Sequence, residues 1–241
     1  TEETGYVTDR FGDAACRFID EHKDEAFYLF VSFTAPHSPN QPRETDKERI
    51  AHIEKQRRRR YAGLVVALDD NVGKILDCLE ANELAEDTLV IFTNDNGGQT
   101  QTGANNTPLK GRKGMLTEGG LRVPWAMRWP GRIEPGTVVS DPITARDILP
   151  RPTSTLRNRP LFWRQHGRGG PRAMRLGQWK LHHNRAKDLE PELYNLESDI
   201  AEATDVAAKH PERVATMIEA LDRWEAPMKE PLWGPGKPTG R

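Results

Sequence analysis

One segment, residues 88–131, constrains this chain more than any other. It opens as a short continuous apolar run, Thr88-Leu89-Val90-Ile91-Phe92-Thr93, and breaks at once into Asn94-Asp95-Asn96-Gly97-Gly98. A polar, glycine-rich loop carrying Lys110, Arg112 and Lys113 follows, and the chain returns to an apolar strand at Pro124–Trp129. An apolar run of this length bounded by turn residues is the pattern of a strand covered on both faces. The carboxylate of Asp95 and the amide of Asn96 at its end are hard oxygen donors suited to Ca²⁺ or Mg²⁺. Asn, Asp and Gly also populate turns for backbone reasons alone. In Lys110-Gly111-Arg112-Lys113-Gly114 the glycines let backbone approach a ligand closely. Lys113 offers a point charge to an oxyanion, and the same loop can equally be a solvated basic surface. No Gly-x-x-x-x-Gly-Lys-Ser/Thr pattern is present, so this is not a P-loop.

The elements around that segment set its context. Phe11, Ala14, Ala15, Phe18 and Ile19 fall at helical spacing, with Thr8 as the expected N-cap. Phe27–Phe33 reads as a short buried strand that ends in Thr34-Ala35-Pro36-His37-Ser38-Pro39, where two prolines forbid regular continuation. Tyr61, Leu64, Val65, Leu68, Val72, Ile75, Leu76 and Leu79 mark one long amphipathic helix. Helix, strand, helix, strand implies an α/β fold with a mostly parallel sheet sandwiched by helices. Ligands bind such sheets beyond the C-terminal strand ends, and His37 and Asp95-Asn96 each follow such an end. His37 is suited to donating a proton or a hydrogen bond to a leaving oxygen. A lone histidine in an apolar-flanked bend is also commonly structural.

After Pro150 the texture changes, which suggests a main α/β domain over 1–150 and a small C-terminal α+β subdomain over 151–241. Residues 151–160 read as a linker or loop. Arg172–Leu176 and Trp179–His183 flank Gly177-Gln178 as a hairpin, and Glu192–Leu196 suits a further strand. Pro211 suits the first turn of a last helix with Val214, Met217, Ile218, Leu221 and Trp224 on one face. The tail from Pro227 to Arg241 is rich in Pro, Gly and Lys and is expected to pack loosely. His166, His182 and His183 are expected in surface or hairpin roles.

Charge excludes some partners. With 35 basic and 36 acidic residues the formal net charge is −1, which gives no reason to expect nucleic acid or an anionic membrane. The run Arg57–Arg60 is local and reads as a solvated helix end or an anion contact. No run approaches the ~20 apolar residues of a membrane span. Cys16 and Cys78 lie far apart and lack the paired spacing of a zinc site. A disulfide between them is possible, but two small buried residues are the expected reading. The chain starts at Thr1 without Met or signal peptide, as a truncated chain would.

In order and company these pieces resemble the sulfatase family of the alkaline-phosphatase-like superfamily. The resemblance is carried by Phe33–Pro39, Leu68-Asp69-Asp70-Asn71-Val72-Gly73, Thr88–Gly97 and Leu109–Pro124. Trp129-Pro130-Gly131, Thr144–Leu149, Gly177–Leu181 and Glu192–Leu196 continue it over nearly the whole chain. It implies a sulfuric ester hydrolase acting on an aryl or carbohydrate sulfate, with a sulfated small molecule or glycan as partner and a periplasmic or secreted location. It implies that Asp95 and Asn96 are calcium ligands, that Lys113 contacts the sulfate, and that His37 lies near the ester oxygen and helps protonate the leaving group.

Two departures qualify it. Sulfatases of this type resemble one another in a Cys-x-Pro/Ala-x-Arg segment whose cysteine or serine becomes the formylglycine nucleophile. Cys16 is followed by Arg17-Phe18 and Cys78 by Leu79-Glu80, so neither fits. The family's first metal-binding aspartate pair is also missing, and Asp69-Asp70, inside the long helix, is expected to face solvent instead. Both missing pieces are expected upstream of Thr1, leaving an incomplete chain without turnover. The connection over 151–160 is shorter than in similar chains. The rival readings are a phosphate or phosphonate ester hydrolase of the same superfamily and a non-catalytic anion- or glycan-binding remnant.

Overall fold

The computed structural model of the protein describes residues 5–148, 159–167 and 169–230. Its packing divides into two compact units, Thr1–Asn105 with Val123–Thr137, and Asn106–Arg122 with Val138–Arg241. Division at residue 150 follows chain order; by packing, the segment Asn106–Arg122 belongs with the C-terminal elements. Residues 151–158 of the expected linker, and the tail from 231 onward, lie outside the described residues.

The first unit is built on two helices, α1 (Val7–His22) and α2 (Gln56–Ala81). The buried face of α1 is Thr8, Gly12, Ala15, Cys16 and Ile19, a helical stripe. It packs along α2, whose buried residues include Leu64, Ala67, Leu68, Asn71 and Leu79. The crossing is close at Gly12, where a Cβ would overlap the Asn71 side chain. Asn71 is itself satisfied: its amide donates to Asp9 Oδ1 at 2.7 Å and to Ala67 O at 2.8 Å. Thr8 is not the N-cap; α1 begins at Val7 after Tyr6, and Thr8 is buried inside the helix. Cys16 and Cys78 form a disulfide across the two helices, with Cα atoms 5.8 Å apart. The expectation of two unpaired buried cysteines is therefore wrong. Their 62-residue separation hides a pairing that only the packing of α1 along α2 creates.

Strands β1 (Val90–Thr93) and β2 (Trp125–Arg128) form an antiparallel pair, in register from Val90↔Arg128 to Thr93↔Trp125. Every strand pairing among the described residues is antiparallel. The segment Phe27–Phe33, expected as a buried strand, forms no strand and has no ladder partner among the described residues, and Tyr28 and Phe30 are exposed. An apolar run reads as buried only if a neighbouring strand covers it. An apolar hollow of about 310 Å³ lies against α2 and the β pair, lined by Val65, Leu68, Val72, Leu76, Val90 and Phe92. Asp69 is exposed as expected, but Asp70 is ion-paired with Arg43 and Arg49, which hold its carboxyl below the usual range; the Arg49 hydrogen bond is the largest cause.

The second unit is a four-stranded antiparallel sheet in the order β3 (Leu161–Arg164), β4 (Pro171–Leu176), β5 (Trp179–Asn184), β6 (Glu192–Asn195). It also contains a one-turn helix, α3 (Glu118–Leu121), and α4 (Pro211–Glu225), with Pro211 in the first turn. The β4–β5 hairpin turns where the sequence predicts it, with Gly177 at φ +57°. Such a conformation is favourable for glycine and costly for residues with a Cβ. Met174, Leu181 and Leu193 stand opposite one another across β4, β5 and β6, and they pack on Met217 and Leu221 of α4. Phe162 stacks on Trp224 at 5.1 Å between ring centres. This face ends in Arg172, whose guanidinium reaches Asp222 at 2.6 Å and Glu225 at 3.3 Å.

Candidate functional site

In the first unit, Asp95 and Asn96 occupy the bend immediately after β1. Thr93 Oγ1 donates to Pro124 O at 3.1 Å and closes the end of the strand pair, so the bend starts from a fixed point. Asp95 is exposed, Asn96 half-buried and Gly97 buried. His37 follows the segment Phe27–Phe33, between the cis peptides Ala35–Pro36 and Ser38–Pro39. Its backbone N–H donates to Thr34 O at 2.8 Å, and its ring Nδ1 is 2.8 Å from Ser38 O. A carbonyl only accepts, so Nδ1 carries a proton, and Nε2 is the nitrogen left to take or give one. Both clusters lie in the same unit, but of the two only Asp95-Asn96 follows a strand.

Ser38 also lines a polar hollow of about 280 Å³ with Asn40, Gln56, Arg57, Arg60, Gln101 and Thr102. The arginine run therefore divides. Arg58 donates to Gly103 O at 3.0 Å and Arg59 to Ile53 O at 2.6 Å, while Arg57 and Arg60 line the hollow.

A calcium ion takes six to eight oxygens. Asp95 and Asn96 supply donors of the right chemical class but too few of them. Among the described residues no group of three or more His, Cys, Asp or Glu converges to hold a metal ion.

In the second unit, Lys113 stands exposed on the loop that runs into α3. Among the described residues its side chain has no hydrogen-bonding or ion-pair partner. The loop beneath it is tightly held. Gly119 N–H donates to Lys110 O at 2.8 Å, Asn106 Nδ2 to Gly111 O at 3.0 Å, and Gln165 Nε2 to Gly114 O at 2.6 Å. The loop backbone lies directly on α3: a Cβ at Gly119 would sit 2.5 Å from Lys110 O, and one at Gly120 would run into the Met115 and Arg112 carbonyls. These are the places where the Gly-Gly pair is required.

Sequence reasoning missed what lies under the loop. Lys180 of β5 is fully buried and donates to Glu118 Oε1 at 2.6 Å, with Glu202 Oε1 at 3.2 Å. Glu202, also fully buried, accepts from the Glu118 backbone N–H at 2.7 Å and pairs with His182 Nε2 at 2.7 Å. Burial pushes the Glu202 pKa up, but the His182 hydrogen bond, the Lys180 charge and the Glu118 amide together outweigh it and hold the carboxyl below the usual range. Lys110 Nζ donates to Glu202 O at 3.0 Å and lies over the Tyr194 ring. His182 is thus a member of this cluster rather than a surface residue. His183 contacts Arg172, and burial, followed by Arg172 and Arg185, lowers its pKa. The available signal was the alternation Trp179-Lys180-Leu181-His182, which sets Lys180 opposite Leu181 without saying what covers that side.

Comparison with known proteins places this architecture. Residues 1–153 match the family described as Sulfatase. A sulfatase of Formosa agariphila is 32% identical over 260 residues, covering 86% of this chain and 47% of that protein. Human Arylsulfatase H is 41% identical over 144 residues, covering 56% of this chain and 25% of that protein. The solved structure of Ps i-CgsB in complex with k-i-k-neocarrahexaose matches with a TM-score of 0.89 and 30% identity, over 97% of this chain and 58% of that one. The chain belongs to the sulfatase family. It spans from a quarter to somewhat over half the length of these relatives. Among the described residues no helix is long and apolar enough to cross a membrane.

Proposed function

We propose that this chain is part of a sulfuric ester hydrolase whose substrate is a carbohydrate or aryl sulfate. Its membership of the sulfatase family carries the reading. The likeness to a protein crystallised with neocarrahexaose favours a sulfated glycan over a small aryl ester.

Residue roles follow from the matched motifs. Lys113, without a competing partner among the described residues, would contact the sulfate. His37, with Nδ1 occupied by Ser38 O, would deliver a proton from Nε2 to the departing alcohol oxygen. Asp95 and Asn96 would supply two of the oxygen ligands to Ca²⁺. When bound, the ion supplies charge that favours the anionic ester as its S–O bond breaks.

Neither cysteine can be the formylglycine precursor here, because each lacks the motif and both are consumed in the disulfide. The chain as it stands is therefore expected to bind sulfate without turning an ester over. The same disulfide supports an oxidising compartment, periplasmic or extracellular. In the whole protein we also expect the mostly parallel sheet of the alkaline-phosphatase-like fold and a separate C-terminal subdomain.

The test is sulfate release by the full-length protein from a sulfated oligosaccharide, an aryl sulfate and a matched phosphate ester. Preference for the sulfates, with turnover lost in Lys113→Ala and reduced in His37→Ala, is the expected result. A preference for phosphate, or full turnover in both variants, rules the assignment out.

A further inference from the structure

We propose that Glu118, Lys180 and Glu202 form a buried ionic lock that docks the basic loop onto the β3–β6 sheet, and that they are positioning residues for Lys113. The inference rests on the reading of Lys113 as the sulfate contact. It goes beyond that reading in assigning a function to three groups that touch no substrate.

The argument starts from burial. Glu202 and Lys180 are 0% exposed and Glu118 is 3% exposed. Charges are taken fully out of water only where close partners compensate them. Here the partners join three segments far apart in the chain. Glu118 opens α3 at the end of the loop, Lys180 lies on β5, and Glu202 follows β6. Besides the Lys180–Glu202 pair itself, at 3.2 Å, three links end on the loop or its helix. Lys180 binds the Glu118 carboxylate at 2.6 Å, Glu202 binds the Glu118 backbone N–H at 2.7 Å, and the Glu202 carbonyl accepts from Lys110 at 3.0 Å. The loop is therefore clamped at both of its ends, Lys110 and Glu118, with Lys113 between them.

The clamp is directional. An apolar contact would allow the loop to slide; a carboxylate held by a buried ammonium through one oxygen and approached by Arg175 Nη1 at 3.7 Å through the other has a narrow range of positions. Gly119 and Gly120 then transmit that position, because the backbone of residues 110–115 rests on them without an intervening side chain. A shift of Glu118 must move Lys113.

The experiment uses Lys180→Met, which keeps the apolar stem and removes the charge, in the full chain. Native protein is treated with trypsin, and cleavage after Lys110, Arg112 and Lys113 is followed by mass spectrometry alongside cleavage after Arg223 on α4. The expected result is at least tenfold faster cleavage in the loop with the α4 site unchanged. Equal acceleration at all sites would mean that the cluster only stabilises the unit, and it overturns the proposal; so does unchanged loop cleavage. If Lys180→Met does not fold, Glu118→Gln, which leaves the cation in place, is read by the same comparison.

Inorganic sulfate separates this inference from the one beneath it. Sulfate should slow cleavage after Lys113 in the wild type, with its midpoint raised at least tenfold in Lys180→Met. No sulfate protection in the wild type removes the sulfate role of Lys113, while selective loop cleavage continues to decide the lock.

Discussion

The two faces of the β3–β6 sheet are both buried, and they are built on opposite principles. On one, Met174, Leu181 and Leu193 meet Met217 and Leu221 of α4, and its charges gather at one end, where Arg172 meets Asp222 and Glu225. On the other, Lys180 meets Glu118 and Glu202 with no buried aliphatic cluster. The apolar face draws its stability from area removed from water, which is large but non-directional. The ionic face repays a desolvation cost with attraction of similar size, so its net stability is small, yet removing one partner is expensive. The lesson is that one sheet uses one face to be stable and the other to place a loop.

The largest effect should come from breaking the ionic face halfway. Lys180→Ala leaves two carboxylates buried without their cation and should cost about 3–5 kcal/mol in urea denaturation. Combining Lys180→Met with Glu118→Gln and Glu202→Gln removes the charge of all three groups and should recover most of that loss; no recovery would show that the face is a true source of stability. On the apolar side Leu181→Ala should cost about 2–5 kcal/mol, with no selective increase in trypsin cleavage of the loop.

Smaller than either is the effect of Gly120→Ala. Its Cβ runs into the Met115 and Arg112 carbonyls, and overpacking of this kind costs about 1–3 kcal/mol. Amide exchange over residues 110–117 should rise in this variant. If exchange stays as in the wild type, the loop is not carried on the glycine pair.

The pH dependence distinguishes the faces without a mutation at the core. The Glu202 pKa is lowered in the folded state, so its contribution is fully present above its unfolded value, near 4.5. It is lost as pH falls through the lower folded value. Stability should therefore decline on acidification in this window, and Glu202→Gln should flatten that part of the profile. The smallest effect is Arg223→Ala. It breaks an exposed i,i+4 pair with Glu219 and should change stability by no more than about 0.5 kcal/mol.

Several elements were legible in the residues because their signals are local. The period of Val214, Met217, Ile218 and Leu221 with Pro211 ahead of it places α4. Gly177 between two alternating runs places the hairpin. The strand Val90–Thr93 ending in Asp95-Asn96 is visible for the same reason. Thr8 was misread because a good capping residue can also be buried within a first turn. Phe27–Phe33 was misread because an apolar run does not say whether a neighbour lies beside it. Of the proposed site, His37, Asp95, Asn96 and Lys113 are visible as residue types in their motifs, while the ring tautomer of His37 depends on where Ser38 O falls.

The sequence by itself determined where α2, α4, β1 and the β4–β5 hairpin lie, and which residue types follow β1 and stand on the basic loop. Those are statements about spacing within a few residues, where covalent geometry sets the periods. Only the tertiary structure decided that Cys16 joins Cys78, that Lys180 faces Glu118 across 62 residues of chain, and that the loop of Lys113 rests on a charged sheet face. Those contacts depend on how elements pack, and burial turns such pairings from optional into necessary only once that packing exists.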